Sequence, residues 1–214
     1  MNDSLTELVF ILDKSGSMAG LEADTIGGYN ALLAKQKREP GRALVTTVLF
    51  DDHCRRLHDR ADLAAVAPLT ERDYSAGGST ALLDALGRTI HHIIEAHRRA
   101  RVEDRPGRTL FVITTDGAEN ASRKYGPRAI KALVEREKRK YGWEFIFLGA
   151  NIDAIATAAG LGIDADRAAD YRADSEGTRR NFEAVGEAVS ELRTSRQVSR
   201  RWKDGIEDDF RRRI

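Results

Sequence analysis

The chain has 214 residues, 41% hydrophobic and 32% charged, too apolar for a disordered protein and too polar for a membrane protein. Its 35 basic and 34 acidic residues leave a formal net charge of +1, so no global basic field draws it to nucleic acid or anionic lipid. The single cysteine, Cys54, excludes an intrachain disulfide and suits a reducing compartment.

In chain order, Leu8 to Leu12 is a continuous apolar run, the pattern of a strand covered on both faces. Leu21 to Lys37 reads as a helix, with Ile26, Tyr29 and Leu33 at helical spacing and a stop at Pro40-Gly41. Leu44 to Phe50 is a second strand. Cys54 to His58 pairs with it as a short strand through a tight turn at Asp51-Asp52. The stretch Asp59 to Ala76 is the best linker candidate and is too short to separate two cores. Ala81 to Arg101 is a strong helix, with Leu82, Leu86, Ile90, Ile93, Ile94 and His97 on one face. Leu110 to Ile113 is a buried strand, and Pro127 opens a helix running to Tyr141. Glu144 to Leu148 is another strand, Asp153 to Gly160 a short helix and Ala168 to Tyr171 a last edge strand. Phe182, Val185, Val189 and Leu192 mark a final amphipathic helix. Such alternation predicts one α/β domain over residues 1–194, built on a doubly wound, mostly parallel six-stranded sheet with helices on both faces. Residues 195–214 form a charged tail or docking helix.

Sheets of this kind bind ligands at the carboxyl ends of their strands, near a topological switch point. Three polar clusters fall there: Asp13-Lys14-Ser15-Gly16-Ser17 after the first strand, Gly77-Gly78-Ser79-Thr80 before the long helix, and Thr115-Asp116-Gly117 after the strand ending near Ile113. Their chemistry is all oxygen, with no thiolate and no imidazole. That set suits Mg²⁺, and after it Mn²⁺ or Ca²⁺, rather than zinc or copper. The plainer alternative is that Asp13 and Ser15 cap the next helix and Gly77-Gly78 is a turn.

Asp13, Ser15, Ser17, Thr80 and Asp116 together resemble the metal-ion-dependent adhesion site of von Willebrand factor type A (vWA) domains, in which D-x-S-x-S is joined by a distant Thr and a distant Asp. The resemblance covers residues 5 to 194 and implies a Rossmann-like sheet of order 3-2-1-4-5-6 with one short antiparallel edge strand. It also implies that hydroxyls bind the metal directly, that carboxylates act mostly through water, and that an Asp or Glu of a partner protein fills the open position. Stand-alone bacterial members of the family act beside AAA+ ATPases or in stress-response systems, and the excess of arginine over lysine fits a GC-rich bacterial source.

Catalysis is the competing class. No G-x-S-x-G, G-x-x-x-x-G-K-[ST] or H-E-x-x-H motif occurs. A phosphatase with Asp13 as nucleophile would want a second carboxylate at Ser15. A metal-dependent hydrolase stays as the alternative, with no general base in evidence, and the expectation is a non-enzyme. His91 and His92 read as solvated, His97 as a satisfied core residue, and His53, Cys54 and His58 lack a fourth ligand for a soft-metal site. Gly160-Leu161-Gly162 is only a fragment of a dinucleotide fingerprint. Asp84 supports the N-terminus of its own helix, with a place behind the metal as second reading.

In the tail, Val198, Trp202, Ile206, Phe210 and Ile214 recur every four residues. They fold back on the domain or bind a partner, and the former is favoured. Met1-Asn2-Asp3-Ser4 lacks the layout of a signal peptide, and no apolar run approaches the ~20 residues of a membrane span. The expectation is a cytoplasmic interaction module with neither nucleic-acid nor membrane partners.

Overall fold

The computed structural model describes residues 1–195 and 197–213. Six strands form one sheet: β1 (Asn2–Asp13), β2 (Arg42–Phe50), β3 (Cys54–Asp62), β4 (Pro106–Asp116), β5 (Glu144–Ala150) and β6 (Ala168–Asp170), in the order β3-β2-β1-β4-β5-β6. Only the β2–β3 pair is antiparallel. This is the doubly wound sheet expected, with one difference. The antiparallel edge strand β3 is nine residues long rather than short. It continues past His58 because the ladder shifts register there and resumes with Val45 opposite Ala61.

The helices are α1 (Glu22–Lys37), α2 (Leu82–Arg99), α3 (Pro127–Tyr141), α4 (Ala154–Gly160), α5 (Ser175–Ser195) and α6 (Asp204–Arg212). Alternation along the buried strands decides which face each helix covers. On β1, Leu8, Phe10 and Leu12 pack with Tyr29 and Leu33 of α1 and Val185 and Val189 of α5. Val9 and Ile11 face the other way, among Leu86 and Ile90 of α2 and Val134 of α3. Helix α3 starts at Pro127, where the missing N–H costs nothing, and stops at Gly142 with φ of +65°.

Val198, Trp202 and Ile206 are buried in the α1–α5 core layer. The Trp202 indole N–H donates to the Asp166 carbonyl at 2.9 Å. Phe210 lines a cavity with Tyr171 and Arg172, and the Arg172 guanidinium stacks over its ring. Ile214 lies outside the described residues. No helix among the described residues is long and apolar enough to cross a membrane.

Candidate metal centre

β1 and β4 are adjacent and parallel, and the sheet is built outward from them in both directions, which makes their carboxyl ends the switch point. Asp13 closes β1 and Asp116 closes β4. Both carboxylates are buried, at 0% and 2% exposure. Asp13 accepts the Ser15 N–H at 2.7 Å on one oxygen and the Thr115 hydroxyl at 2.6 Å on the other. The Asp116 carboxylate accepts from the Asn151 amide. Burial raises the Asp13 carboxyl above its ordinary value, opposed by the hydrogen bonds from Thr115 and Ser15. Burial also raises Asp116, with Asn151 opposing and the Asp13 charge adding to the rise. Two acids that repel each other while shielded from water are a pair that a cation relieves.

Three loops meet above these carboxylates. The Gly16 N–H donates to the Gly78 carbonyl at 3.0 Å, and the Gly77 N–H donates to the Lys14 carbonyl at 2.9 Å, locking the loop before α2 against the loop after β1. Gly78 has φ of +76°, the left-handed region that favours glycine, and a Cβ there would push aside the Asp52 carboxylate and stand 3.3 Å from Asp51 Cβ. Ser15 Oγ and Ser17 Oγ are 3.1 Å apart. A Cβ on Gly117 would stand 3.4 Å from Ser17 Oγ and 4.0 Å from Thr80 Oγ1. Glycine at 117 leaves that space clear, so hydroxyls from two remote loops address one point. All five residues singled out in the sequence, Asp13, Ser15, Ser17, Thr80 and Asp116, therefore converge. An all-oxygen cradle with two buried acids and a clear centre fits a hard divalent cation.

The capping alternative fails on geometry. Helix α1 starts at Glu22 with Leu21 at its cap position, and the Ser15 side chain makes no capping bond to the 3₁₀ turn Gly16–Met18. Asp84 stands in the first turn of α2, as expected, and has a further role. Its carboxylate accepts the N–H groups of Lys124 and Tyr125 at 2.8 and 3.0 Å. The start of α2 is capped instead by Glu119, which takes the Leu83 N–H at 2.9 Å, and by the Ser122 hydroxyl, which takes the Asp84 N–H at 2.9 Å. Asp84 thus pins the loop after β4, which carries Asp116 and Gly117 at its start. Despite the cost of burial, those N–H groups and Arg88 hold its carboxyl below the ordinary value. Its stabilising effect is complete above the ordinary carboxylate value and is lost as pH falls through the depressed one. Asp84→Ala is expected to cost about 2–3 kcal/mol in urea unfolding, from two charge-assisted bonds to backbone. A cost under about 0.5 kcal/mol would show that the loop does not depend on it.

Thr115 stood in the third polar cluster without a role, and Asn151 and Glu119 were not evident in the sequence as parts of the site. The register that pairs Leu12 with Thr114 sets Thr115 beside Asp13, so a register argument could have found it. Asn151 adopts φ of +55°, a conformation asparagine tolerates better than most residues, but nothing in its neighbourhood marks it. His53, Cys54 and His58 form no ligand cluster: the His58 ring contacts the Thr47 hydroxyl at 3.0 Å. Among the described residues the one close group of His, Cys, Asp and Glu side chains is Asp51, Asp52 and His53. It is the β2–β3 turn, held by the His53 N–H on Asp51 at 2.6 Å and by the Lys14–Asp51 ion pair.

No family model matches the chain, and no curated protein matches it. Solved structures do. A vWA protein from Sulfolobus acidocaldarius, VWA2, is 16% identical with a TM-score of 0.56, over 88% of this chain and 45% of its own. The mussel byssus protein PTMP1, solved with a zinc-occupied adhesion motif, is 15% identical with a TM-score of 0.56, over 86% and 46%. The vWF domain of the pilus tip protein Mfa5 from Porphyromonas gingivalis is 11% identical with a TM-score of 0.58, over 86% and 94%. The chain spans about half the length of VWA2 and PTMP1. Its fold is the vWA fold.

Proposed function

We propose that this chain is a non-enzymatic, cytoplasmic interaction module. It holds a divalent cation, Mg²⁺ first, on Asp13, Ser15, Ser17, Thr80 and Asp116 and uses it to bind an Asp or Glu of a partner protein. The observation that carries this reading is the meeting of three hydroxyl side chains with two buried carboxylates at the switch point of the sheet. The zinc-occupied motif of PTMP1 on the same fold supports it. Neutral hydroxyl ligands leave a dication short of compensating charge, which favours an anionic ligand at any open position. The protein's own part is to fix the ligands. Thr115 and the Ser15 N–H orient Asp13, Asn151 orients Asp116, and the Gly16–Gly78 backbone bond holds the serine and threonine loops together.

The first test is thermal. Mg²⁺ or Mn²⁺ at about one hundred times its dissociation constant adds about 2.7 kcal/mol by linkage. For a domain of this size that is a rise of roughly 5–10 °C in melting temperature, reversed by chelator. The same preparations are expected to hydrolyse no phosphate ester, carboxylic ester or nucleic acid, and capture of the partner is expected to need the metal. A melting temperature indifferent to both ions, with no heat in calorimetry, would remove the reading.

A further inference from the structure

A cavity of about 380 Å³ opens at the opposite end of the sheet from the metal centre, beside the carboxyl ends of α2 and α3. Strand β4 runs from Pro106 on its wall to Asp116 at the metal centre, about 33 Å at the rise of an extended chain. The cavity's volume falls within the range of small-molecule sites, roughly 300–1,000 Å³.

Ile94, Tyr141 and Trp143 supply apolar wall. The Trp143 ring is fixed by stacking on Phe111, with centroids 5.4 Å apart, and by the edge-to-face contact of His97, also at 5.4 Å. Its indole N–H meets no acceptor among the described residues. Around this wall stand Arg105, Arg136 and Lys140. Arg105 donates through Nε to the Ala100 carbonyl at 3.1 Å, and Arg136 donates through Nε to Glu137 at 2.6 Å. Each guanidinium is thereby tethered by its inner nitrogen. The terminal nitrogens of both have no protein acceptor among the described residues. Lys140 pairs with no carboxylate there and sits over the Tyr141 ring, 5.0 Å from its centroid. A fourth cation on the wall, Arg98, is engaged by Glu95 at 2.6 Å. The one carboxylate on the wall, Glu137, is engaged by Arg136 through Oε1, and its Oε2 is buried with no hydrogen-bond partner among the described residues.

Apolar wall, a free indole donor and two tethered guanidinium forks form a complementary set. We infer that this cavity binds a small planar anion, an aromatic ring bearing one carboxylate or phosphate group. The ring lies against Trp143 and Ile94, and the anion takes the terminal nitrogens of Arg105 and Arg136 with Lys140 beside them. Arginine forks match carboxylate and phosphate equally, so the head group is read by experiment.

The test uses the two indole N–H resonances of the ¹⁵N-labelled protein. Trp202 serves as internal control, because its N–H is already bonded to the Asp166 carbonyl. Cinnamate and phenyl phosphate are the probes, with cinnamyl alcohol, acetate and inorganic phosphate as controls. Saturable movement of the Trp143 resonance alone is expected for at least one probe at submillimolar concentration, and whichever binds more tightly identifies the head group. The three controls are expected to bind at least about tenfold more weakly. Lys140→Gln, a change at an exposed side chain, and Arg105→Gln should each weaken binding severalfold, whereas Thr80→Ala should leave it unchanged. The inference is overturned if neither probe moves Trp143 at millimolar concentration. It is equally overturned if cinnamyl alcohol binds as tightly as cinnamate, or if Lys140→Gln and Arg105→Gln bind as the wild type does.

Discussion

Thr80→Ala will abolish the calorimetric signal of Mg²⁺ and Mn²⁺ while leaving a folded protein. Thr80 is 4% exposed, yet the structure holds it by its backbone. Its N–H donates to Asn120 Oδ1 at 2.9 Å, and its carbonyl accepts the N–H groups of Asn120 and Ala121 at 3.0 and 3.2 Å. All of these survive the substitution. The hydroxyl makes no hydrogen bond to any other described residue, so its loss leaves no protein group unpaired. The cost in stability should stay within about 0.5–1 kcal/mol. Outer-shell partners of a metal typically contribute 10–100-fold in affinity, so a direct ligand should contribute at least about 100-fold. Chelator should mimic the variant, and chelator added to the variant should do little more. Asp13→Ala is a poorer probe, because it also releases the Ser15 N–H and the Thr115 hydroxyl. A Thr80→Ala protein that binds Mn²⁺ as tightly as the wild type would remove Thr80 from the ligand set.

The second large effect is expected at the far end of β1, on stability alone. Glu7 is completely buried. Arg60 donates to it through Nε at 2.9 and 3.2 Å and lies against it through Nη2 at 2.9 Å. The His97 ring reaches the same carboxylate at 3.2 Å. Arg60 belongs to β3, with β2 lying between it and Glu7. It gets there because the β3 ladder bulges between His58 and Ala61, with Arg60 itself at φ of +47°, and a bulge re-aims a side chain. Arg60→Ala strands a buried carboxylate on one histidine and is expected to cost about 3–5 kcal/mol. Combining it with Glu7→Leu should recover much of that, since replacing a buried ion pair with apolar residues is often close to neutral. Urea unfolding of the four proteins of the cycle measures both. A single-variant cost below about 1 kcal/mol would show that water or His97 already satisfies Glu7. The metal centre should not respond, because Asp13 is six residues further along the strand, roughly 20 Å away.

Neither Glu7 nor Arg60 stood out in the sequence, and the reason is general to this chain. The apolar strands and helix α2 were visible from their apolar residues, and α3 from Pro127 at its start. Helix α1 was read from Ile26, Tyr29 and Leu33, but the burial of Thr25 and Gln36 on it was not. Gln36 is satisfied by the Gly186 carbonyl, the Ser190 hydroxyl and Arg193. Arg193, in turn, donates to the carbonyls of Gln36, Pro40 and Gly41, where the chain leaves α1. Polar groups that are buried because a remote residue pairs with them carry no periodic signal. The convergence of Asp13, Ser15, Ser17, Thr80 and Asp116 was legible because these residues cluster at strand ends in short motifs. Asn151 and Glu119 were hidden because their roles depend on contacts across loops. The length of β3 was hidden too, since a bulge interrupts its alternation.

The margins of the sheet limit how another chain can attach. At one margin the three-residue β6 is followed along its course by the C-terminal segment. The Lys203 ammonium donates to the carbonyls of Ala165 and Ala168 at 2.8 Å, and Arg167 donates to the Val198 carbonyl at 2.8 Å. At the other margin β3 carries Arg55, Arg56, Asp59, Arg60 and Asp62 and is kinked by its bulge. Charge, irregular register and a covering segment are the means by which edge strands avoid templating a neighbour. Strand addition, in which a partner peptide extends the sheet through main-chain hydrogen bonds, is thus disfavoured on both sides. What the sheet can offer a second protein is its end, where the strands stop and the side chains of Ser15, Ser17 and Thr80 begin.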